Sequence, residues 1–202
     1  TLMALLTANN QSMTAITALP SAVAKGGLVL LATETASDDT TLSFTSGIDS
    51  TYKEYIFEFI DFNPGTDAKS LTFQGSTNSG SSYGVTATTT WFNAYHNEAD
   101  TDANIGYSSS LDLAQATGYQ PIGYQTGNGG DESQAGTLHL YDPSNTTFVK
   151  HFIARASNYR SNDYMEDSFC AGYFNTTSAI NAIQFKPESG NFVGIIKLYG
   201  VT

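Results

Sequence analysis

Apolar residues recur along this chain at two different spacings. Near the start, Leu2, Leu5 and Leu6 fall at helical spacing, with Met13 and Ile16 on roughly the same side. Pro20 and the Gly26-Gly27 pair end that pattern. From Leu28 onward the period becomes that of strands. Leu28–Ala36, Thr41–Thr45, Glu54–Phe62 and Lys69–Gly75 are the first candidates, followed by the Thr-rich Val85–Phe92. Gly136–Tyr141, Thr147–Ala156, Asp167–Phe174 and Ile180–Phe185 come later, and a near-continuous apolar run from Phe192 to Val201 comes last. Strand and loop signals alternate, as in Asn63-Pro64-Gly65-Thr66-Asp67 and Asp142-Pro143-Ser144-Asn145.

Two of these segments are apolar on both faces: Glu54–Phe62, where Tyr55, Phe57 and Phe59 alternate with Ile56, Glu58 and Ile60, and the C-terminal run. Both are predicted to be central strands. In Thr147–Ala156, Phe148, Phe152 and Ala154 are expected on one face, opposite Val149, His151 and Ile153. Residues 93–135 are irregular, with short strands predicted at Ala103–Ser108 and Tyr119–Tyr124, and Ser157–Asp163 reads as a loop. The total is about ten strands with no helical pattern between them, which predicts an all-β chain folded as a single antiparallel β-sandwich or jelly roll. Residues 28–202 would form that domain and residues 1–27 a short N-terminal arm. This attachment or assembly arm, with Leu2, Leu5, Leu6, Met13 and Ile16 as its apolar contacts, is expected to pack on its own sandwich or to reach a neighbouring subunit or scaffold.

Composition narrows the partners. The net charge is -11, from 19 acids against 8 bases, which argues against nucleic acid and anionic membranes. Only 13% of residues are charged, so Ser, Thr, Asn, Gln and Gly must build most of the polar surface. Cys170 is the one cysteine and sits in an apolar segment, where a buried inert thiol is expected. No apolar run reaches the length of a membrane span, and the start lacks the basic-then-apolar pattern of a secretory signal.

Candidate chemistry is sparse. Gly80-Ser81-Ser82-Tyr83-Gly84 matches the pattern of a nucleophile elbow, but it lies in a Ser/Gly loop with no helix after it. His96, His139 and His151 do not fall at metal-ligand spacing. Loop acids such as Asp100, Asp102, Asp163, Glu166 and Asp167 read as solvated turn residues, although convergence on calcium or a pair suited to glycoside hydrolysis is a spatial question. No catalytic residue, cofactor or metal site is predicted. Trp91, Tyr95, Tyr107, Tyr119 and Tyr124, with Asn, Gln and Asp nearby, suit stacking and hydrogen bonding to sugars; they suit protein interfaces or the core equally.

Several runs are familiar together. They are Gly27-Leu28-Val29-Leu30-Leu31 with Thr33-Glu34-Thr35-Ala36-Ser37, Leu42-Ser43-Phe44-Thr45, Ile48-Asp49-Ser50-Thr51-Tyr52, Tyr55 through Asp67, Ser76-Thr77-Asn78-Ser79-Gly80-Ser81-Ser82-Tyr83, and Ser189-Gly190-Asn191-Phe192 through Val201. In these the chain resembles tailed-bacteriophage virion proteins that end in a β-sandwich or jelly roll; the middle of the chain is unmatched. The resemblance implies a non-enzymatic structural protein on the outer surface of the particle, often a homotrimer, assembled with other virion proteins. A tail-fibre-like or tail-appendage subunit is the leading expectation, with host-surface glycans bound through residues 93–135. A capsid (head) decoration protein is the alternative. A secreted carbohydrate-binding module or a polysaccharide-degrading enzyme is the expectation from a different class.

Overall fold

A computed structural model describes residues 27–202. Twelve strands run in chain order: β1 (Leu28–Asp39), β2 (Leu42–Phe44), β3 (Glu54–Pro64), β4 (Leu71–Ser76), β5 (Ala87–Asn97), β6 (Ala103–Tyr107), β7 (Gln120–Pro121), β8 (Gln134–Tyr141), β9 (Lys150–Arg160), β10 (Tyr164–Phe174), β11 (Ala182–Pro187) and β12 (Phe192–Val201). Among the described residues there is no helix. The strands form two antiparallel sheets, one of eight in the order β1-β12-β3-β8-β9-β10-β5-β6 and one of four in the order β2-β11-β4-β7. The fold is an all-β sandwich, as the strand period predicts.

Alternation of side chains produces the core. Cross-strand register sets Leu198, Phe57, Leu138, Ala154, Cys170 and Trp91 in one row across six strands of the large sheet. Every member is at most 1% exposed. Phe73 and Phe185 of the small sheet meet this face, and Phe73 packs edge-on against Phe152 at 5.1 Å and Phe174 at 6.2 Å between ring centroids. Burying aromatic rings of this size is the largest single source of stabilisation the sequence offers. The buried apolar residues from Ala36 to Leu198 form one cluster, so the two sheets share one core.

The structure shifts several predicted boundaries. The described residues form twelve strands: the ten clearly periodic segments, and the two short ones predicted within 93–135, which appear as β6 and the two-residue β7. β3 and β12 are interior strands, as predicted from their apolar character, but only one face of each is buried. Ile56 and Ile60 on β3, and Ile195 and Tyr199 on β12, are only partly covered. Ser157–Asp163 is not a loop: β9 continues to Arg160, and β10 begins at Tyr164 after a turn in which Asp163 takes a φ of 63°. Phe148 does not share the inward face of Phe152 and Ala154; it precedes the strand and is 68% exposed. The inward position next to Phe152 is filled by Lys150, whose amine donates to the carbonyls of Phe148 (2.6 Å) and Thr176 (3.2 Å). Burial holds that amine below its usual range.

Leu2, Leu5, Leu6, Met13 and Ile16 of the predicted arm lie outside the described residues. Gly27 is tied to the sandwich, its carbonyl accepting bonds from the backbone N–H and the hydroxyl of Thr202.

Candidate functional site

The inward face of the large sheet changes character toward one end. Below the row that ends in Cys170 and Trp91, the same pairing sets Ala156, Ser168, Asn93 and Gly106 side by side. The next row is Asn158, Glu166, Tyr95 and Asn104. The row after that begins with Arg160 and Tyr164. Strand period is unbroken through all three rows, but polar side chains now occupy the core positions. The result is an open cleft of about 360 Å³, lined by Tyr95, Tyr107, Tyr124, Tyr164, Arg160 and Asp102 among others.

Its floor is a buried ion pair. Glu166 is fully buried: its carboxylate accepts bonds from Asn93 Nδ2 at 2.9 Å and Ser168 Oγ at 3.0 Å, and lies 3.7 Å from Arg160 Nη1. Burial raises the Glu166 pKa above the usual carboxylate value, and the bonds from Asn93 and Ser168 and the charge of Arg160 only partly oppose it. The Arg160 guanidinium lies 4.8 Å from the Tyr124 ring centre, 5.0 Å from that of Tyr164 and 5.9 Å from that of Tyr95. Its Nη2 also donates to Gln125 Oε1 at 3.1 Å. Three aromatic faces around a partly desolvated cation make a rigid seat, because each ring quadrupole attracts the charge. The Tyr164 hydroxyl donates to Asp102 Oδ2 at 3.0 Å, which raises the phenol's pKa. Tyr107 is bonded to Asp112, with the same effect.

The predicted recognition residues divide. Tyr95, Tyr107 and Tyr124 meet in this cleft. Trp91 contributes to its lining but is 0% exposed, so it is a core residue and not a surface one. Its position in the inward row, between Cys170 and the small sheet, outweighs the general tendency of indoles to lie at surfaces. The Trp91 indole Nε1 and Arg160 Nε have no hydrogen-bond partner among the described residues. Tyr119 lies elsewhere: its hydroxyl bonds Gln184 of the small sheet, and the Lys186 amine sits 4.3 Å above its ring.

Reading the sequence missed Arg160, Tyr164, Asn93 and the buried role of Glu166. One signal was present. Phe152, Ala154, Ala156 and Asn158 continue a single alternation straight through the segment read as a loop, with a polar residue entering at a core position.

The other candidates stay apart. Ser82 is bonded to Asn78 within its own loop. His139 pairs with Glu54 at 2.7 Å, both half-buried, and His96 pairs with Asp100 at 3.0 Å at the surface. Among the described residues, no three His, Cys, Asp or Glu side chains gather as a metal-ligand set. The cleft's lining suits stacking and hydrogen bonding. It offers tyrosine rings, amides from Asn104 and Asn162, and the Asp102 carboxylate, over the Arg160–Glu166 pair. No protein family, curated protein or solved structure matches this chain.

Proposed function

We propose that the chain is a non-enzymatic structural protein of a tailed-bacteriophage virion, a tail-fibre-like or tail-appendage subunit on the particle's outer surface. Its sandwich recognises a host-surface glycan in the cleft above Arg160 and Glu166. The observation that carries the binding role is the cleft itself, where tyrosines, amides and one carboxylate converge at the open end of the large sheet. Sugars present hydroxyls that both donate and accept, and apolar ring faces that stack on aromatic residues. An uncharged, hydroxyl-rich ligand therefore fits this lining better than nucleic acid or an anionic lipid surface does. The virion assignment rests on the residue runs at the two ends of the sandwich, which resemble those of phage proteins. Sister copies, in trimers by that resemblance, and other virion proteins are the remaining partners.

The test is glycan-array binding by the purified full chain, followed by titration of the best ligand against Asp102→Ala and Asn104→Ala. Both positions are exposed, so the variants should fold normally. Each should weaken binding by about tenfold, equivalent to about 1.4 kcal/mol. Unchanged affinity in both would remove the cleft from consideration. Release of reducing ends from the bound polysaccharide would show an enzyme instead.

A capsid decoration protein is the second reading, favoured by the large face of the eight-stranded sheet that no described strand covers, which suits lateral packing on a shell. Mass spectrometry of separated heads and tails decides between the two.

A further inference from the structure

The large sheet has a second face, opposite the core, that no described strand covers. Register lays it out in rows. Tyr199, Ile56, His139, Ile153 and Ala171 cross five strands in one. Lys197, Glu58, Thr137, Arg155, Phe169 and Phe92 cross six in the next. Ile153 is 49% exposed, Phe92 42% and Met165 50%. Phe92 and Phe169 stack in parallel, 4.8 Å apart at an interplanar angle of 4°, with the Arg155 guanidinium 4.8 Å from the Phe169 ring centre. Contiguous apolar and aromatic surface of this kind is unusual on a protein that works alone.

The Lys and Arg charges on this face are paired with acids within it. Arg155 is bonded bidentately to Asp167, with Nη2 to Oδ2 at 2.6 Å; Lys197 lies 4.0 Å from Glu58; and His139 is bonded to Glu54 at 2.7 Å. This decides what kind of partner fits. The chain as a whole carries -11, so two copies repel each other wherever that charge is displayed. On this largely paired face the repulsion is least, whereas a basic partner would find Glu58 and Asp167 already held by Lys197 and Arg155. Size agrees. Eight strands at about 4.8 Å each and seven residues at about 3.4 Å each give roughly 900 Å². A standard stable interface buries about 800 Å² per partner. Aromatic residues, Met and Arg are also the side chains enriched in such interfaces.

We propose that the outer face of the eight-stranded sheet, centred on Phe92, Ile153, Arg155 and Phe169, is the docking surface for another copy of this chain. The packing is sheet on sheet, with Ile153 and the Arg155–Asp167 pair near the middle of the face, the Phe92–Phe169 stack toward β5 and the Lys197–Glu58 pair toward β12. The inference is independent of what the cleft binds. Oligomeric state reads the outer face and the glycan array reads the cleft, so either can fail without the other.

Sedimentation equilibrium of the full chain tests it. The wild type should be oligomeric at about 100 µM, where any interface tighter than about 10 µM is mostly formed. Ile153→Glu places an unpaired carboxylate in the centre and should raise the dissociation constant at least 100-fold, leaving monomer, while the melting temperature of the monomer stays close to normal. Phe92→Ser reads the same face from a different strand without adding charge, and should weaken association at least tenfold. A wild type that is monomeric at that concentration overturns the proposal. So does an oligomer that persists unchanged in a folded variant of either position.

Discussion

Glu166 is the residue where sequence and environment conflict most. A carboxylate with no exposure loses its hydration, and only Asn93, Ser168 and a guanidinium 3.7 Å away replace it. Burial wins, and the folded pKa stands above the ordinary value of 4.5. The sign follows by linkage. Below pH 4.5 the group is protonated in both folded and unfolded chains. As pH rises from there, the unfolded chain releases its proton first, so this group's contribution to stability falls until the folded pKa is passed. Glu166→Gln has no such proton to lose. Urea unfolding of both proteins across that window should show the variant gaining stability relative to the wild type as pH rises. A difference between the two that is flat with pH would mean that Glu166 ionises normally in the fold. At the same scale, Trp91 shows why a residue's type is a poor guide to its place. An indole suits a sugar-binding surface and a core equally well, and only the row it shares with Cys170 and Ala154 put it inside.

At the scale of elements, the two sheets are joined chiefly through phenylalanines. β4 supplies Phe73, which touches Phe152 of β9, Phe174 of β10 and Phe185 of its own sheet. Phe73→Ala removes all three contacts and leaves a cavity that fixed strands on both sides cannot close. The expected loss is about 3–5 kcal/mol in denaturant unfolding. A loss below about 1 kcal/mol would mean that the sheets are held together some other way. The elements were largely legible from period-2 alternation, and β3, β8 and β12 came through clearly because their inward residues are large and apolar. β9 was cut short in the reading because its inward residues shrink and then become polar, from Phe152 through Ala154 and Ala156 to Asn158. A strand whose core positions turn polar looks like a loop until its neighbours are known. That stretch is the one that builds the cleft.

The whole molecule poses the question of attachment. Residues 1–27 carry a single charge, Lys25, and they lead into Leu28, Val29 and Leu30, which are 57%, 39% and 54% exposed on the edge strand β1. If the arm joins the protein to the particle, a chain lacking residues 1–27 should fold and keep its cleft but fail to enter assembled virions. Incorporation at the wild-type level, measured by mass spectrometry of purified particles, would refute that role. The antiparallel sandwich, its single core and its inward aromatic residues were all encoded locally, because side chains alternate across a strand whatever its partners are. Strand order was decided only in three dimensions, and with it the meeting of Arg160 with Tyr95, Tyr124 and Tyr164, the burial of Glu166, and the outer face that no described strand covers. Those depend on which strands lie side by side, and residues far apart in the chain leave no mark on one another's sequence.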